Sequence, residues 1–92
     1  MRVRVLYFGV LKDVIGQGSR MMEVGEGSSV AELVAVHRGA FSGPAAVWDS
    51  IAVAVNQEYA RADRLLKDGD EVALLPPVSG GVGTETGDRN AS

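Results

Sequence analysis

One stretch of this chain needs a partner surface before it can fold at all. Ser29-Val30-Ala31-Glu32 is a capping box, in which a serine hydroxyl and a glutamate carboxylate each satisfy an orphan backbone donor at a helix start. Val30, Leu33, Val34 and His37 then recur at i, i+3, i+4 and i+7, the stripe of an amphipathic helix. Gly39 is expected just past its end, in the left-handed conformation. A single helix of this kind cannot bury its stripe alone. The segments on either side of it read as short strands, so the stripe is expected to lie on a sheet.

The strand-like segments differ in strength. Arg2 to Phe8 alternates, with Val3, Val5 and Tyr7 on one face and Arg2, Arg4, Leu6 and Phe8 on the other. Val10 to Ile15 suits one or two helical turns closed by Gly16 and Gly18. Arg20 to Val24 reads as a second strand, close enough to the first to pair with it as a hairpin. Phe41 to Ser50 is irregular apart from a short helical turn after Pro44. Ile51 to Val55, rich in β-branched residues, reads as a buried strand, with Asn56-Gln57 a turn after it. A short 3₁₀ or α turn is expected over Ala62 to Leu66, and Lys67-Asp68-Gly69-Asp70 is a strong turn signal. Glu71 to Leu75 is the last strand and must find its partner after a long excursion. The expected architecture is α+β: a ubiquitin-like β-grasp roll with one main helix packed across a mixed sheet.

Composition removes most catalytic chemistries. Ninety-two residues make one domain. There is no cysteine, so disulfides, thiolate nucleophiles and cysteine–zinc sites are excluded, as is persulfide carriage. The single histidine, His37, leaves no histidine-rich metal site, and none is expected. Nine basic residues are scattered among twelve acidic ones, which argues against nucleic acid as a partner. No secretory signal and no apolar run near the roughly 20 residues of a membrane span is seen, so a cytoplasmic protein with no membrane partner is expected. Asp68, Asp70 and Glu71 cluster, but in a turn that already explains them. His37 lies on the apolar stripe and reads as a packed or dipole-facing side chain rather than a base. Gly16-Gln17-Gly18 precedes a strand, so it is no phosphate loop.

What remains is the segment after the last strand. Pro76-Pro77 stops the strand and stiffens the exit, and Val78-Ser79 leads to Gly80-Gly81, a thread with no Cβ that can enter a narrow channel. If the chain ended at Gly81, its reactive group would be the α-carboxylate. Adenylation makes that group an acyl-phosphate electrophile, and a sulfur nucleophile then makes a thiocarboxylate. A chain without cysteine can carry sulfur in this way.

These features resemble a known family, the small, sulfur-carrying subunit of molybdopterin synthase (MoaD family). The resemblance rests on Val5-Leu6-Tyr7-Phe8-Gly9 with Leu11-Lys12-Asp13, on Ser29-Val30-Ala31-Glu32-Leu33, on Val55-Asn56-Gln57-Glu58, and above all on the block from Asp68 through Pro76-Pro77-Val78-Ser79-Gly80-Gly81. It implies a carrier domain over residues 1–81 that binds no cofactor and supplies no catalytic side chain of its own. An adenylyltransferase of the ubiquitin-activating type would use ATP on Gly81, and a sulfurtransferase would supply the sulfur. The arm would enter the large subunit of a heterotetramer and donate sulfur to cyclic pyranopterin monophosphate, yielding molybdopterin in molybdenum cofactor biosynthesis. It also implies partner docking at Phe8, Tyr59 and Leu75 on the sheet face.

One feature departs from the family. Residues 82–92 (VGTETGDRNAS), expected to be disordered, follow Gly81 and leave it without a free carboxylate. Three explanations are open: removal by a protease, which is then a further expected partner; a cloning remnant; or loss of the carrier role. The intact arm favours the first two. Other readings stand beside the first: a ubiquitin-like protein modifier, a carrier for thiamine, tRNA thiolation or cysteine synthesis, or a β-grasp interaction module with an inert tail.

Overall fold

The computed structural model describes residues 1–41 and 45–76. In chain order these form β1 (Arg2–Tyr7), α1 (Val10–Ile15), β2 (Ser19–Glu23), α2 (Val30–Ala40), α3 (Ala45–Asp49), β3 (Ala52–Val55), β4 (Glu58–Ala60) and β5 (Glu71–Leu75). The strands make one five-stranded sheet in the order β2-β1-β5-β3-β4. β1 and β5 run parallel at its centre, while β2 joins β1, and β3 joins both β5 and β4, antiparallel. This mixed sheet, with α2 across one face, is the expected β-grasp arrangement.

Alternation decides which face is covered. Val3, Val5 and Tyr7 of β1, Met22 of β2, Val53 and Val55 of β3, and Val72 and Leu74 of β5 point inward, to Val30 and Leu33 of α2 and to Leu11, Trp48 and Leu66. β3, read from sequence as simply buried, is covered on this face only: Val53 and Val55 are buried, whereas Ala52 is exposed.

The start of α2 is capped from both near and far. Ser29 Oγ accepts from Glu32 N at 3.2 Å, and Ser29 N donates to Glu32 Oε1 at 2.8 Å, completing the capping box. The next donors, Val30 N and Ala31 N, reach the carbonyls of Arg64 and Ala62 at 2.9 Å each. All four first-turn donors of the helix are therefore satisfied, Leu33 N by Ser29 O. The segment that supplies these carbonyls is not the helical turn expected over Ala62 to Leu66. A turn closed by Arg64 N to Arg61 O leads into an extended Leu65 that bridges to Ser29, because capping α2 requires carbonyls that no helix of its own consumes.

Other expectations shift at the element ends. β1 stops at Tyr7, leaving Phe8 outside it, and β2 begins one residue early, at Ser19. Gly39 lies inside α2 and is not the left-handed terminator. The helix runs on to Phe41, whose N–H closes on His37 O at 2.9 Å and whose ring stacks 6.0 Å from the His37 ring. The short helix after Pro44 is present as α3. β4 was not expected: it follows a two-residue turn in which Asn56 (φ 52°) and Gln57 (φ 70°) both take left-handed angles, as the tightest hairpins require.

The turn before β5 sets the register of the sheet. Asp68 Oδ1 accepts from Arg2 N at 2.8 Å, Gly69 N donates to Arg2 O, and Arg4 N donates to Asp70 O. The Asp70 carboxylate accepts from Lys67 N at 2.8 Å and from Asn56 Nδ2 at 3.0 Å, while Asn56 Oδ1 accepts from Glu71 N. The acidic cluster thus serves structure, as its turn setting implied.

His37 is buried beneath this sheet. Its Nδ1 lies 2.9 Å from Leu33 O, which can only accept, so the proton of the neutral ring sits on Nδ1 and Nε2 accepts from Tyr7 Oη at 2.7 Å. Burial holds the His37 pKa below its ordinary 6.5; the Leu33 hydrogen bond opposes this and Arg20 adds to it. Burial also raises the Tyr7 phenol, with Arg20 opposing.

Two stability outcomes follow. Asp70→Ala leaves two polar groups, Lys67 N and Asn56 Nδ2, short of a partner and should cost about 1–3 kcal/mol in urea unfolding. As pH falls below 6.5, the unfolded chain takes up a proton at His37 that the folded chain, held lower, does not. Stability should decline over that range, and His37→Gln, which keeps an acceptor for Tyr7, should lose this part of the decline.

Candidate functional site: the open sheet face beside the chain's exit

The face of the sheet opposite α2 is not covered. Parallel pairing makes β1 and β5 end at the same edge, with Tyr7 opposite Leu74. Phe8, one residue past β1, and Leu75, the last of β5, therefore stand at that edge and on the open side. Pro76 follows at once, half-buried. Leu75 pairs with Ala52, and one row further in Leu6 pairs with Ala73, Ala73 with Ala54, and Ala54 with Tyr59.

Side-chain size along that row gives the face its shape. Ala73 and Ala54 are small, while Phe8 and Leu75 on one side and Tyr59 on the other are large. The result is an open apolar groove of about 370 Å³, lined by these residues with Leu6, Gln57 and Glu71. Tyr59 is 81% exposed and Phe8 45% exposed, high values for aromatic side chains in a small domain. The other end of the face is charged: Arg2 pairs across the strands with Glu23, and Arg4 lies between Met21 and Glu71. A second hollow of similar size opens between α2, α3 and the β3–β4 hairpin, but neither Leu75 nor Pro76 lines it.

The structure brings Phe8, Tyr59 and Leu75 to one groove and places Pro76 at its edge. Pro77, Val78, Ser79, Gly80 and Gly81 lie outside the described residues, as does the extension 82–92. Leu6, Ala54 and Ala73 were not among the expected docking residues. The signal for Leu6 was its alternation with Phe8, and for Ala73 its alternation with Leu75; the sequence held no cue that the strands carrying them would be neighbours. Among the described residues, no group of three or more His, Asp or Glu side chains could hold a metal ion, and both ring nitrogens of His37 are engaged internally.

Comparison with known proteins bears on this geometry. The model of the ThiS family matches residues 5–81, ending at the second glycine of Gly80-Gly81. The chain belongs to the ThiS family. It is 40% identical over 83 residues to the molybdopterin synthase sulfur carrier subunit of Chlamydomonas reinhardtii, an alignment covering 88% of this chain and all of that one. The fold matches small archaeal modifier protein 1 of Haloferax volcanii, with a TM-score of 0.70 and 27% identity over 84% of this chain and 98% of that one. It also matches a chain in the complex of subunits 1 and 2 of the molybdopterin-converting factor from Helicobacter pylori, with a TM-score of 0.63 and 30% identity over 88% of this chain and all of that one. Among the described residues of this ThiS-family chain, no helix is long and apolar enough to cross a membrane.

The open face is dispensable to the fold if it exists for something else. Tyr59→Ser should change unfolding free energy by less than about 0.5 kcal/mol, whereas Leu74→Ala, on the covered face, should cost about 2–5 kcal/mol.

Proposed function

We propose that this ThiS-family chain is the sulfur-carrying subunit of molybdopterin synthase, carrying sulfur on Gly81 once that residue is the carboxyl end. The observation that carries the reading is the apolar groove of Phe8, Tyr59 and Leu75 at the edge where β5 runs into Pro76. A partner seated in that groove is beside the segment that leads to Gly81, so docking and delivery use one edge of the molecule.

The chemistry needs no side chain from this protein. The Gly81 carboxylate attacks the α-phosphate of ATP on an adenylyltransferase of the ubiquitin-activating type, releasing pyrophosphate. A sulfurtransferase persulfide attacks the acyl carbon and AMP leaves; a second thiol then reduces the resulting acyl disulfide, becoming part of a disulfide itself and leaving a thiocarboxylate on Gly81. The arm then enters the large subunit, whose residues act while the thiocarboxylate sulfur bonds to a carbon of cyclic pyranopterin monophosphate; water then cleaves the acyl–sulfur bond, leaving the sulfur on the pterin and a carboxylate on Gly81. Gly80 and Gly81 suit a narrow channel because neither has a Cβ. The large subunit as partner is supported by likeness to a chain of the subunit 1 and 2 complex. A heterotetramer in the cytoplasm, and a protease that removes residues 82–92, complete the proposal.

A modifier role has its own support in the likeness to small archaeal modifier protein 1. There the same activated glycine would be attacked by a target lysine to give an isopeptide. Conjugates through Gly81 in the native host would favour that role.

The test uses a chain ending at Gly81. Every described strand and helix lies between residues 2 and 75, so the cut removes none of them. Incubated with activating enzyme, ATP and a sulfur source, it should gain the mass difference between sulfur and oxygen, and the 92-residue chain should not. No gain, under conditions that charge a known carrier, would overturn the reading. Phe8→Asp puts a charge in the docking groove and should weaken large-subunit binding about tenfold or more.

A further inference from the structure

The sheet is open at β2, and the open edge is regular. Met1 N donates to Val24 O at 2.9 Å, and Val24 N donates back to Met1 O at 2.8 Å. At the other end of the ladder Tyr7 N donates to Gly18 O at 2.9 Å. Bonded rows of an antiparallel pair come at every second residue, so Val3 with Met22 and Val5 with Arg20 are bonded rows as well. Ser19, Met21 and Glu23 lie in the rows between, and their backbone N–H and C=O groups point away from β1. No described residue hydrogen-bonds to them. Exposed edges are commonly blunted by a lysine, a proline or a bulge. Ser19-Arg20-Met21-Met22-Glu23 has none of these, and its register with β1 is unbroken. The opposite edge, β4, is only three residues long.

A hollow of about 200 Å³ lies beside this edge, between β2 and α2. Met22, Val24, Leu33 and Val36 give it apolar walls, and Glu23 and Glu32 supply carboxylates. Glu23 is 3.8 Å from Arg2 with both side chains exposed, which makes a weak pair. Glu32 spends Oε1 on the cap of α2, and its Oε2 has no partner among the described residues. In a strand added to β2, the residue opposite Met22 takes the same side of the sheet as Met22, so every second side chain faces the hollow. Lysine and arginine suit such a place, because their stems lie along apolar walls while the cation stays in water beside a carboxylate.

We infer that the β2 edge is a second docking site of this chain, which takes an extended segment of a partner protein as an added strand, with a lysine or arginine laid in the hollow toward Glu32. The outward backbone groups call for an extended occupant, and the carboxylates call for a basic one. A second copy of this chain fits less well. Antiparallel pairing about Met21 sets Arg20 of the second copy opposite Met22, but Arg20 is held over the Phe41 ring, 5.7 Å from its centre. The chain also carries a net charge of −3, which opposes self-association. The site does not depend on the sulfur-carrier reading. β2 and β4 are opposite edges of the sheet, so an occupant here leaves Tyr59 and its groove open.

The test titrates the full 92-residue chain, isotope-labelled, with a blocked heptapeptide in which threonine alternates with valine, lysine and valine. Amide shifts in the nuclear magnetic resonance spectrum should saturate with a dissociation constant of about 1 mM or lower. They should map to β2 and to the turns of α2 that carry Glu32, Leu33 and Val36. Met21→Pro removes an outward N–H that the ladder with β1 does not use, and should weaken binding about tenfold or more. Glu32→Gln keeps an acceptor for Ser29 N, so it separates charge from structure. It should weaken the lysine peptide about fivefold and leave unchanged the affinity of the same peptide with norleucine in place of lysine. If Met21→Pro does not fold, the shift map and Glu32→Gln decide. The inference falls if the peptide gives no saturating shifts, if the shifts appear at Phe8, Tyr59 and Leu75 instead, or if either folded variant binds as wild type does. It falls too if the chain alone sediments as a dimer that Met21→Pro breaks, since the edge then belongs to a second copy.

Discussion

The parallel pairing of β1 with β5 is the constraint on which the molecule depends. It joins the first strand of the chain to the last at the centre of the sheet, and every other strand is added outward from that pair. Parallel ladders need a long connection between their strands, and here it contains α2, α3 and the β3–β4 hairpin. Its register is held by the turn before β5, where Asp68, Gly69 and Asp70 exchange hydrogen bonds with Arg2 and Arg4. Because the two strands point the same way, both run out at one edge. That is why Phe8, Leu75 and Pro76, separated by most of the chain, meet.

The sheet divides the work between its faces. The inner face and α2 form the core, with Tyr7 and His37 as a buried polar pair whose hydrogen bonds are complete. The outer face contributes little to the core, so its side chains are free to serve a partner. Burying an aromatic anchor from such a face is a common source of binding energy. In the proposed carrier role the reactive atom is the carboxyl end at Gly81, and the fold's part is to offer a docking surface at the edge where β5 runs into Pro76.

Much of this was legible in the residues. The capping box and the stripe from Val30 to His37 located α2, alternation gave the inward face of β1, and the block from Asp68 to Gly81 pointed to the sulfur-carrier family. The failures were local signals that tertiary contacts overrode. Gly39 looked like a terminator, but Phe41 stacks on His37 and α2 runs on to reach it. Glu58-Tyr59-Ala60 has neither the length nor the apolar alternation of a strand, and becomes one because the Asn56-Gln57 turn folds it back on β3. Ala62 to Leu66 looked helical, and instead spends its carbonyls on the first turn of α2.

The sequence by itself determined the elements whose forces act within a few residues: the cap and stripe of α2, the two-residue period of β1 and β5, and the stiff prolines before two glycines. Only the tertiary structure decided that Phe8, Leu75 and Tyr59 share one groove with Ala54 and Ala73 as its floor. Those neighbours come from strand order and register. Pairing between strands far apart in the chain leaves no local pattern, since a backbone hydrogen bond is the same whichever residues make it.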